Sequence, residues 1–123
     1  MNWAKLQAIA REEVEAILAA LPAPLRAQAR NLPVTLERLP NAGLQAEGID
    51  LDTLGLFVGP DFADQMAVPM PPQIILFLES LWDYSEAGVK TFRDEVRTTF
   101  LHELGHYLGL DEDDLTERGL GSE

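Results

Sequence analysis

The sequence has no cysteine, which removes disulfides, thiolate metal sites and cysteine nucleophiles from consideration. Histidine is scarce, with two in 123 residues, and so is positive charge, with 9 Lys and Arg against 21 Asp and Glu. The formal charge of −12 argues against a surface built to track nucleic-acid phosphates or anionic lipid. Long apolar runs are missing too: the longest, residues 74–78, is far short of the roughly 20 residues that span a membrane. Met1-Asn2-Trp3-Ala4-Lys5 lacks the basic start and unbroken apolar stretch of a secretory leader. The expectation is a cytoplasmic protein with no nucleic-acid and no membrane partner, and the missing cysteines fit a reducing compartment.

What is present suffices for a core. Hydrophobic residues make up 46% of the chain, and 123 residues suit one domain over 1–123 rather than two. Trp3, Leu6, Ile9, Ala10, Ile17, Leu18 and Leu21 recur at helical spacing; Asn2 can cap that helix, and Pro22 and Pro24 end it. A short helix over residues 24–30 follows, with Pro24 at its start. Residues 34–39 alternate as a strand, Asn41-Ala42-Gly43 opens a loop, and residues 54–58 form a second strand weakened by Gly55. Prolines 60, 69, 71 and 72 make residues 59–72 a loop. Residues 73–78 read as a strand buried on both faces, and residues 79–88 as a connection with one helical turn. A long helix runs from about residue 89 to 108, with Gly109 as its left-handed terminator, and a short acidic helix is expected over residues 112–118. Helix, strands, helix in that order predicts an α+β domain: an N-terminal helix, a small sheet of three or four strands and a C-terminal helix.

Both histidines fall in one stretch, His102-Glu103-Leu104-Gly105-His106. This H-E-x-x-H spacing arises by chance in roughly one in a few hundred chains of this size. On a helix, residues four apart project in parallel, so His102 and His106 can close on one Zn²⁺ through imidazole nitrogens. Glu103 flanks them, placed to take a proton from a water whose pKa zinc lowers to about 7. Phe100, Leu101, Leu104, Tyr107 and Leu108 form an apolar sector, with His102, Glu103 and His106 expected opposite it.

A catalytic zinc usually takes a third protein ligand. Extending the motif gives H-E-x-x-H-x-x-G-x-x-E, with Gly109 and Glu112 at its last fixed positions. In that pattern the glycine turns the chain out of the helix and the residue three later returns to the metal. Spacing favours Glu112. Asp111, Asp113 and Asp114 remain open, although Asp111 also suits the cap of a following helix and the other two its first turn.

The run from Phe92 through the motif to Leu115 resembles the small bacterial zincin-like metallopeptidases, a minimal-zincin family formerly described as a domain of unknown function. Leu54-Gly55-Leu56-Phe57, a proline-rich loop and Gln73-Ile74-Ile75-Leu76-Phe77 are similar to that family's strand pair. The resemblance implies a zincin-type fold and a zinc metallopeptidase acting on a peptide or protein substrate. His102 and His106 would be metal ligands, Glu103 the catalytic glutamate and Glu112 an acidic position matching the family's. The chain departs from larger metzincins in carrying a carboxylate where they commonly have a third histidine, and Met1, Met66 and Met70 all precede the motif. Tyr84 and Tyr107 are candidates for an oxyanion donor or for packing aromatics, and an edge at residues 73–78 or 54–58 could align an extended peptide. Two rival readings are a zinc-binding interaction module without efficient peptidase activity and a metal-free domain that binds partners through its acidic surface.

Overall fold

The structure, a computed structural model, describes residues 1–59 and 70–110. Helix α1 (Trp3–Ala20) begins where Asn2 Oδ1 accepts a hydrogen bond from the Lys5 amide at 2.8 Å, satisfying one of the orphan donors of a helix start. Its buried stripe is Leu6, Ile9, Ala10, Val14, Ile17 and Leu18. Helix α2 (Ala23–Ala29) follows directly, and strand β1 (Val34–Glu37) comes next. The segment expected to be a loop after Asn41 is instead helix α3 (Ala42–Ala46). Asn41 caps it, its Oδ1 accepting from the Leu44 amide at 2.9 Å.

Strands β2 (Gly55–Val58) and β3 (Gln73–Phe77) complete a three-stranded sheet in the order β1-β3-β2. The last strand in sequence is thus the central one, parallel to β1 and antiparallel to β2. All five of its residues are buried, as its unbroken apolar run predicts. Alternate side chains serve opposite faces. Ile74 and Leu76 join the main core with α1 and the C-terminal helix. Ile75 and Phe77 meet Val58 and Leu44 on the other face, which is why α3 exists as a cover despite its shortness.

The connection after β3 is helix α4 (Leu78–Tyr84), two turns rather than one. Helix α5 (Val89–Leu108) then crosses the main core, burying Phe92, Val96, Phe100, Leu101 and Leu104. Arg93 of α5 reaches Glu13 of α1 at 3.4 Å, and Phe92 meets Trp82 edge-on at 5.6 Å. Among the described residues no helix is long and apolar enough to cross a membrane.

Candidate metal centre

Helix α5 ends at Gly109, whose φ of 70° is the left-handed conformation expected of a terminator. The Leu110 amide donates back to the Gly105 carbonyl at 2.8 Å, so the chain leaves the helix immediately after the histidine motif. Within the last two turns, His102 and His106 lie on an exposed face with ring centroids 4.5 Å apart and planes at 64°.

Glu103 departs from the arrangement expected of it. It does not share the exposed face with the histidines but is buried, at 9% exposure. Its Oε1 accepts a hydrogen bond from the Phe57 amide of β2 at 3.1 Å and lies 3.4 Å from His106 Nδ1. The reason is rotation: Glu103 follows Thr99 by four residues, and both turn toward β2, while the histidines one residue before and three after turn outward. A buried carboxylate costs free energy unless polar groups meet it. Among the described residues the Phe57 backbone N–H and the His106 imidazole do so.

The donors suit a metal ion. One atom each from His102, Glu103 and His106 can be chosen so that all lie within 4.8 Å of one another. His102 and His106 would hold the ion through imidazole nitrogens. With no thiolate in the chain, the donors are imidazole nitrogens and a carboxylate oxygen, a set that suits a divalent transition metal. Glu112, and with it Asp111, Asp113 and Asp114, lies outside the described residues.

Tyr107 and Tyr84 take other parts. The Tyr107 hydroxyl donates to the Gln28 carbonyl at 3.3 Å, and its ring packs on Phe57 at 5.8 Å. Tyr84, 62% exposed, lines a surface cavity of about 630 Å³ with Leu39, Leu51 and Leu54. Sequence reasoning missed Phe57, because a backbone amide leaves no trace in residue type. Gly55, flagged only as a weakness of the strand, was the available sign that something approaches β2 closely.

Residues 29–121 match a family model described as zincin-like metallopeptidase. No curated protein matches the chain.

Proposed function

The chain belongs to the zincin-like metallopeptidase family, and from that premise we propose that it is a zinc-dependent hydrolase of peptide bonds. The observation that carries this reading is the convergence of His102, Glu103 and His106 on one end of α5, with the glutamate held against strand β2. His102 and His106 would hold the metal, with Glu112 as third ligand. A bound Zn²⁺ supplies Lewis acidity, polarising a carbonyl and acidifying water. Glu103 accepts the proton of the attacking water and returns it to the leaving amine. Its Oε1 is engaged by Phe57, so Oε2 moves the proton.

Peptide alignment falls to β2. Strand β3 is central and has no free edge, whereas β2 has no neighbour on its outer side among the described residues. The Phe77 amide donates to the Leu54 carbonyl at 3.0 Å, so by antiparallel alternation Leu54, Leu56 and Val58 face β3, while the Gly55 amide and carbonyl and the Phe57 carbonyl face outward beside the Phe57 amide that Glu103 holds. An extended peptide could add there beside Glu103.

The test is metal content of untagged protein measured beside cleavage of a diverse peptide library. The expected result is one zinc per chain and cleavage that falls about 10²–10⁴-fold in Glu103→Gln, with zinc retained. Equal cleavage by wild type and Glu103→Gln removes the glutamate from the role of base. Zinc without cleavage indicates an interaction module instead.

A further inference from the structure

Gly55 sits in β2 opposite Leu76 of β3. Its backbone does not demand glycine, since the positive-φ glycines among the described residues are Gly48 and Gly109. Space does. A Cβ at residue 55 would lie 2.5 Å from Thr99 Cγ2, 3.3 Å from the Ile75 carbonyl oxygen and 3.4 Å from Leu76 Cδ2. Carbon atoms in comfortable contact stand about 3.5–4.0 Å apart, so the first of these is about 1 Å too close. Thr99 is buried at 7% exposure and, being β-branched, is stiff at χ1. The missing side chain of Gly55 is therefore what lets α5 lie directly on β2.

The next contact along the same two elements is the one between Glu103 and Phe57. Thr99 and Glu103 are four residues apart, about 6 Å along α5. Gly55 and Phe57 are two strand residues apart, about 6.6 Å along β2. The two contacts are thus in step. We propose that Gly55 is a positioning residue of the site: it sets the α5–β2 spacing at which the Phe57 amide can hold the Glu103 carboxylate. Moving the helix out by about 1 Å would take the 3.1 Å hydrogen bond beyond hydrogen-bond range. The inference rests on the reading of Glu103 as base for its catalytic consequence only; the spacing itself is a property of the metal-free fold.

The experiment follows the Phe57 amide by hydrogen exchange in the ¹⁵N-labelled 123-residue chain. The variants are Gly55→Ala, Glu103→Ala, Thr99→Ser and the double variant Gly55→Ala with Thr99→Ser, which removes the methyl that the new Cβ meets. Facing away from the sheet, Phe57 is protected only while Glu103 holds it. Exchange of that amide should quicken at least tenfold in Gly55→Ala, to the level of Glu103→Ala, and return to the wild-type rate in the double variant. The Leu56 and Phe77 amides, within the sheet, should stay protected in all. In zinc-loaded enzyme, kcat should fall about 10²-fold in Gly55→Ala at unchanged zinc content and recover in the double variant. If Gly55→Ala does not fold, the double variant decides: it must fold with Phe57 protected. Wild-type protection of Phe57 in Gly55→Ala overturns the proposal, and so does a loss that Thr99→Ser fails to reverse. If the exchange pattern holds while wild type cleaves nothing, the spacing role stands and the peptidase reading fails.

Discussion

Helices α1 and α5 lie side by side against the same core, yet they bury different things. Everything α1 buries is apolar: Leu6, Ile9, Ala10, Val14, Ile17 and Leu18. Folding alone accounts for each of them, at about 1.5–3 kcal/mol per large side chain taken out of water. Helix α5 buries a comparable apolar set, but among it are Thr99 and Glu103. Folding does not ask for a carboxylate there; a leucine would fill the space without the desolvation cost. The comparison teaches that Glu103, the proposed base, is the buried residue of α5 that packing alone would not select, whereas α1 serves as the internal control for a helix with no such residue.

The largest expected effect breaks α5 without touching α1. His102→Ala or His106→Ala should lower zinc affinity by more than about 100-fold, measured by equilibrium dialysis, since no other histidine or cysteine exists to take over. Equal zinc in wild type and both variants would show that α5 is only another packing helix. The converse is Ile9→Ala in α1, which should cost about 2–5 kcal/mol of metal-free stability by denaturant melting while the folded protein still binds zinc one to one. A smaller effect sharpens where the site continues beyond α5: Glu112→Gln should weaken zinc binding about tenfold or more, and by more than Asp111→Asn, Asp113→Asn or Asp114→Asn, each titrated alone. Dominance of Asp111 or Asp113 would move the ligand off the three-residue spacing after Gly109. The smallest is Asn2→Ala, which removes the cap bond to Lys5 and should lower stability by about 1 kcal/mol with no change in zinc affinity.

The site was half legible in the residues. The spacing of His102 and His106 carries their pairing, because four residues on a helix always bring side chains to one face. The location of Glu103 on the buried side was not legible, because its partner lies 46 residues away on β2 and is a backbone amide that any residue type supplies. Helix α3 was missed for a related reason. Five residues containing Gly43 have little helical preference of their own; Leu44 is helical because it covers Ile75 and Phe77.

By itself the sequence determined the elements whose information is local. The period of α1, its Asn2 cap, the full extent of α5 from Val89 to Leu108, the left-handed stop at Gly109 and the doubly buried character of β3 all follow from spacing and residue type. Tertiary structure alone decided that β3 lies between β1 and β2, that β2 therefore has an outer side without a neighbour among the described residues, and that Thr99 meets Gly55 one turn before Glu103 meets Phe57. The physical reason is range. Periodicity and capping are set by neighbours within a turn, whereas strand order and the approach of a helix to a strand depend on which distant surfaces pack best together, and many pairings share the same local pattern.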